Sequence, residues 1–309
     1  MDTVSWLSLP GLALPVSKAQ CARAIKVNLG ITFLTAFLLL PWQVMAQGTT
    51  MTFLEGKVWV IRGTSVLPCS GGMRLLQGDI LETTTAGFAQ VEFKGGTIVA
   101  LGPASRMFLF RAGATGGELV LLSGWLKGET SVKGGPFRYY TTHLGAAAKD
   151  GTLVLHGSPS GAEIFVESGP GTVAEMTPQG VMSHSVTVKS GQFLSRKSGK
   201  SVLIGGRPDA VFLESLPQAF RDTLPSHLAA FQGRQPPSTA RSDHEVTYAE
   251  IQPWLTIGQA WRGGFVERFK PRLKDPEFRR AVEDHMDDHP EWDVVLHPEK
   301  YANGKQGVH

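Results

Sequence analysis

Apolar positions between residues 51 and 207 fall in short runs at 57–61, 89–93, 97–101, 107–110, 118–122, 152–156, 163–167, 186–188 and 201–204. Glycine and proline punctuate them, at Gly78, Gly95-Gly96, Gly116-Gly117, Gly134-Gly135, Gly151, Gly169-Pro170-Gly171 and Gly191. Short strands at roughly 8–12-residue spacing, each followed by a turn signal, predict an all-β stack, sandwich or barrel. In Glu163-Ile164-Phe165-Val166-Glu167 the alternation sends Ile164 and Val166 inward and leaves Phe165 on the wetter side unless a second layer covers it. Near residue 208 the pattern changes: glycine thins out and the apolar period becomes helical. Residues 208–244, with Pro236-Pro237 and several Ser and Thr, read as a linker or extended segment, and 245–309 as a small helical segment. Thr247 and Glu250 have capping-box spacing, with Pro253 limiting the helix that follows. Asp275-Pro276-Glu277 opens the clearest helix, whose Phe278, Ala281, Val282 and Met286 share one face up to Pro290.

The N-terminal pattern changes the setting of this fold. Lys18, Arg23 and Lys26 precede an apolar run from Ile31 to Leu40, and Val44-Met45-Ala46 stands before Gln47. That order is expected of a secretory leader, residues 1–46, cleaved near Ala46-Gln47, and Val16 would head a leader of ordinary length. The run is about half a membrane-spanning helix, so an uncleaved anchor is the alternative. The expected location is periplasmic or secreted. Cys21 lies before the apolar run, and Cys69 would be the sole cysteine of the mature chain, so an internal disulfide is excluded. Residues 47–207 carry 15 basic and 10 acidic side chains, and residues 208–309 carry 12 and 16. Opposite signs on consecutive segments favour docking of one on the other. Neither segment has the basic density of a nucleic-acid binder.

Four motifs then stand in order. They are Gly78-Asp79-Ile80-Leu81-Glu82-Thr83; Gly87-Phe88-Ala89-Gln90-Val91-Glu92-Phe93 with Gly95-Gly96 after it; Leu121-Leu122-Ser123-Gly124 ahead of Gly135-Pro136-Phe137; and Val186-Thr187-Val188-Lys189-Ser190-Gly191-Gln192. This stretch, roughly 54–205, resembles the FecR domain, the extracytoplasmic β module named after the iron-dicitrate uptake regulator. The resemblance implies an antiparallel stacked-sheet or sandwich module over 51–207 with a role in sensing or protein contact. Familiar members are membrane-spanning anti-sigma regulators with a cytoplasmic helical domain. Residues 1–26 are too few to bury a core of that kind, so the form expected here is exported and lacks it. Gly78, Asp79, Gly95 and Gly96 are structural turn markers: glycine takes positive φ, and Asp79 is placed to bond neighbouring amides.

Candidate chemistry is sparse. The chain has no Gly-x-Ser-x-Gly elbow, no His-Glu-x-x-His and no phosphate loop. His285 and His289, four apart beside Asp284, Asp287 and Asp288, are the one metal candidate, set against a plain solvated helix end. Trp254, Trp261 and Trp292 with Phe265, Phe269 and Phe278 have spacing that suits helix packing more than sugar stacking. Arg138, Tyr139 and Tyr140 after Gly134-Gly135-Pro136-Phe137 form a candidate interaction surface, with the two tyrosines on opposite faces of any strand and Phe137 in the core. The expectation is a non-enzymatic module without a cofactor, binding a periplasmic protein or envelope component and no nucleic acid, with membrane contact only through an uncleaved N-terminus. Alternatives are an envelope enzyme acting on glycan or peptide, and an anchored anti-sigma transducer.

Overall fold

The computed structural model describes residues 48–113, 115–237 and 241–302, and the expected leader and its cleavage site lie outside them. No helix among the described residues is long and apolar enough to cross a membrane. The strands in chain order are β1 (Thr49–Glu55), β2 (Val58–Arg62), β3 (Ser65–Pro68), β4 (Ile80–Thr83), β5 (Phe88–Phe93) and β6 (Ile98–Leu101). Then follow β7 (Arg106–Gly113), β8 (Gly116–Thr130), β9 (Phe137–Tyr140), β10 (Leu144–Ala148), β11 (Gly151–Ser158) and β12 (Gly161–Ser168). The last are β13 (Gly171–Met176), β14 (Met182–Val188), β15 (Phe193–Lys197), β16 (Leu203–Gly205) and the two-residue β17 (His244–Glu245).

They form two stacked sheets, so the fold is mainly β, as the runs predict. The first has the order β1-β5-β6-β8-β11-β12-β15-β16 and is antiparallel throughout. The second has the order β17-β3-β2-β4-β7-β8-β9-β10-β13-β14, antiparallel except where β8 meets β9. Strand β8 belongs to both. Its first half pairs with β7, and from Gly124 onward it pairs with β11. The corner needs glycine: Gly124 has φ +87°, and a Cβ there would meet the Ser105 Cα at 2.5 Å. Ser105 pins the bend by accepting the Trp125 amide on its Oγ at 2.8 Å.

Side chains from the two inner faces, among them Val60, Leu81, Val91, Leu101, Leu121, Leu155 and Ile164, fill the space between the sheets. Both outer faces are covered as well. Ile98, Ala100, Trp125, Val154 and Phe193 pack beneath Phe212, Phe220 and Leu224 from the chain after residue 208. On the opposite side Ile61, Ile80, Phe108 and Val120 pack beneath Ile251, Trp254, Trp261, Phe265, Phe269 and Trp292. Four layers explain why several runs do not alternate. In β6, Val99 and Leu101 enter the inner core while Ile98 and Ala100 meet the outer cover, so every residue is buried. In β12 the alternation holds, with Ile164 and Val166 buried inward and Phe165 half-buried under residues of the cover.

The stretch expected as a linker is therefore a strap. Asp209 caps the helix Ala210–Ser215 through Oδ1, which accepts the Phe212 amide at 2.8 Å, and short 3-10 turns lead on to Phe231. Its prolines and charges hid three apolar anchors too irregularly spaced to show a period. Beyond it, the capping box of Thr247 and Glu250 is present on the helix Tyr248–Leu255. Asp275 Oδ1 accepts the amides of Glu277 and Phe278 at the start of the helix Pro276–Asp284. That helix stops short of Pro290: at its end the His285 amide turns to the Val282 carbonyl at 3.4 Å, and His285 Nδ1 bonds the Ala281 carbonyl at 2.8 Å. The helical segment does dock on the sandwich, but through aromatic packing more than through opposite charge. Its main polar tie is a cation of the acidic segment: Arg268 donates to the carbonyls of Ile61, Gly63 and Gly78 at 2.6 to 2.9 Å.

Candidate functional site

The turn markers build the end of the second sheet. Gly78 has φ +93° and leads into Asp79, which is almost fully buried. The Asp79 carboxylate accepts Arg62 Nε at 2.9 Å, Arg62 Nη2 at 2.6 Å and the Leu76 amide at 2.8 Å. It also faces Arg268, whose guanidinium burial holds down to about 10 while Asp79 pulls it back up. Gly95 and Gly96 both take positive φ, and a Cβ on Gly95 would meet the Gly134 Cα at 2.6 Å. These four residues shape turns, and the Asp79 carboxylate is taken up by Arg62 and the Leu76 amide.

The expected surface at 138–140 is only partly a surface. Tyr139 is fully buried between the sheets, its hydroxyl 2.8 Å from Thr130 Oγ1, because β9 pairs on both edges and points that position inward. Tyr140 turns to the other side and packs against Trp261 with ring centroids 5.5 Å apart. Neither tyrosine ring is available to a partner as an anchor. Phe137 is in the core as expected. Arg138 does reach solvent. With Arg111 it flanks Glu118, whose Oε1 receives Arg138 at 3.2 Å and Arg111 at 3.4 Å, while Oε2 accepts the Tyr140 hydroxyl at 3.3 Å. The carboxylate is 13% exposed, the two guanidinium side chains 50% and 64%, so a sheltered anion holds two cations outward. A shallow groove of about 400 Å³ lies beside them, floored by Gly116, Gly117 and Pro136.

The histidine pair does not share a helical face, since the helix ends before His285. Among the described residues no three His, Cys, Asp or Glu gather closely enough to hold a metal ion. His289 is fully buried and not on a solvated end; its Nε2 meets the Tyr248 hydroxyl at 2.9 Å and its Nδ1 has no partner among the described residues. Burial holds its pKa below the ordinary 6.5, with nearby Glu291 and Asp288 opposing and His285 adding to the shift. The unfolded chain therefore binds a proton that the folded chain resists. This contribution to stability is complete above about pH 6.5 and is lost as pH falls toward the folded pKa. Thermal unfolding between pH 7.5 and 5 should steepen for the wild type relative to His289→Gln; parallel curves would contradict the assignment.

Sequence reading missed the most heavily built polar cluster, on the outer face of the first sheet. Lys127 has no exposed side-chain surface, donates to the carbonyls of Phe220 and Asp222 at 3.0 and 2.9 Å, and pairs with Glu167 at 2.9 Å. Glu129 accepts the Leu224 amide at 2.7 Å, and Gln90 donates to the Pro225 carbonyl at 2.7 Å. Glu92 accepts the Ser226 hydroxyl and the His227 amide at 2.5 and 2.6 Å. Burial works against the Glu92 carboxylate, yet these hydrogen bonds hold its pKa below the usual range; at Glu129 burial prevails and raises it. Donor and acceptor side chains alternate along the strap and read its backbone. In the sequence, Gln90 and Glu92 look like the solvated face of an alternating strand, and nothing local marks their cover.

No family model matches the chain, and no curated protein matches it. Among solved structures, it is similar to two crystal structures, at 1.65 and 2.50 Å resolution, of a "putative anti-sigma factor" from Parabacteroides distasonis. The TM-score is 0.37 in both cases, at 13% and 14% identity, and each match covers 44% of this chain. The chain matches 62% of the length of those structures, less than two thirds.

Proposed function

We propose that this chain is an exported, non-catalytic module of the FecR type that binds a protein or another component of the cell envelope. The ordered motifs of residues 78–192 support the family, and the leader pattern supports export. The observation that carries a binding role is the rim formed by Arg111, Glu118 and Arg138. Two guanidiniums held from below by one sheltered carboxylate lose little freedom when they engage an acidic partner, and arginine is favoured at such contacts. The adjacent groove gives the partner's backbone room to approach.

The test is site-specific photo-crosslinking in intact Gram-negative cells, with the reactive residue at Arg111 or Arg138 and a control at the strap residue Glu214. A discrete adduct from the rim and none from the control is expected, and reversing the charge of the other rim arginine (Arg138→Glu with the reactive residue at 111, Arg111→Glu with it at 138) should abolish it. Rim and control labelling alike, or no adduct at all, would overturn the assignment of the rim. Sequencing the mature N-terminus in the same cells tests export: a product starting at Gln47 is expected, and a full-length inner-membrane chain would favour the anchored transducer.

A further inference from the structure

At the corner where β8 changes sheets, the β9–β10 turn and the end of the helix Tyr248–Leu255 close around a cavity of about 450 Å³. Leu122, Pro253 and Ile257 give it an apolar wall, and Arg106, His143 and Ser123 its polar side. Convergence of a few polar groups on an apolar pocket of this size is the ordinary form of a small-ligand site. Among the described residues, the ionisable groups lining the cavity are Arg106 and His143, and no carboxylate lines it. Among the described residues Arg106 comes no closer to Glu82 than 3.5 Å, Nε to Oε1, and its guanidinium makes no hydrogen bond, which leaves it able to take a carboxylate.

We propose that this cavity binds a small amphipathic anion, a monocarboxylate on a compact hydrocarbon body, with Arg106 taking the carboxylate and Leu122, Pro253 and Ile257 the body. His143 gives the site a second signature. Thr142 Oγ1 engages its Nδ1 at 2.8 Å, and burial together with the Arg196 charge keeps its pKa below 6.5. Arg196 donates to the His143 carbonyl at 2.8 Å and pairs with Glu175 at 3.4 Å, so the charges near His143 are Arg196, partly neutralised by Glu175, and Arg106 in the same cavity lining. A carboxylate bound beside it adds a negative charge, which favours the imidazolium and tightens binding as pH falls.

The probe is octanoate, titrated calorimetrically into the full mature chain at pH 8 and pH 6, with octylammonium and octanol as charge controls. Octanoate is expected to bind, more tightly at pH 6, to shift the His143 ring resonances, and to outbind both controls. Arg106→Gln should weaken it about tenfold or more, the worth of a charge-assisted hydrogen bond. Thr256→Trp, at the exposed rim of the same cavity, should block it while leaving the melting temperature unchanged. Equal binding of octanol, unchanged binding to both variants, or no heat from octanoate would overturn the proposal. The cavity is separate from the Arg111–Arg138 rim, so failure of either test leaves the other standing.

Discussion

Lys127→Met is expected to lower stability to urea by about 3–5 kcal/mol, because it removes one partner from a buried ionic cluster and leaves the rest in place. Methionine fills the volume of the lysine stem, so lost packing is not the main cause. Glu167 loses a cation at 2.9 Å, and the Phe220 and Asp222 carbonyls lose their donor while still covered by the strap. The damage should be local as well as global: amide exchange of residues 217–227 should accelerate far more than that of the inner strands. Adding Glu167→Gln to Lys127→Met should recover only a small part of the loss, since the Glu167 side chain is 34% exposed and water screens its unpaired carboxylate. A loss below about 1 kcal/mol, in the range of an exposed pair, would mean that water reaches the cluster.

The second large effect belongs to Asp79→Ala, again about 3–5 kcal/mol, for a related reason at the other sheet. The carboxylate holds Arg62 through two oxygens and the Leu76 amide through one of them. It also offsets the charge of Arg268, which reaches the Gly78 turn from the helical segment. Its removal leaves two arginines without an anion and one turn amide without an acceptor. Asp79→Asn keeps an oxygen for Leu76 and should restore part of the loss but not the pairing with Arg62. Differential scanning calorimetry on the three proteins measures both steps, and an unchanged Asp79→Ala transition would remove Asp79 from the framework.

Much of the sandwich was legible because burial and pleat leave a period in the sequence. Glu163 to Glu167 shows it cleanly, and the turn glycines show where strands end. Runs such as Ile98 to Leu101 held further information: a short strand buried on every residue requires covers on both faces. What those covers are was hidden. Phe212, Phe220 and Leu224 lie eight and four residues apart among prolines and charges, and only contact with Ile98, Trp125 and Phe193 makes them a layer. The polar strap cluster was hidden for the same reason, since the strap groups that Gln90, Glu92, Lys127 and Glu129 bond come about 90 to 135 positions later. At the candidate rim, Arg138 was visible as an exposed basic residue, whereas the inward turn of Tyr139 depends on β9 gaining neighbours on both sides.

The order in which the layers arrive along the chain has a consequence for synthesis. Strand β8 sits in both sheets and ties them together, and the sandwich, apart from the two-residue edge strand β17, is complete only when β16 has emerged. At that moment both of its outer faces are still bare, because every residue that covers them comes after position 208. Phe108 and Val120 on one side, with Ile98 and Phe193 on the other, then face water until roughly the last third of the chain follows. Nascent chains caught in that interval are the species on which a holding chaperone has most to grip, and products truncated before the strap should be sticky even with all the inner strands present.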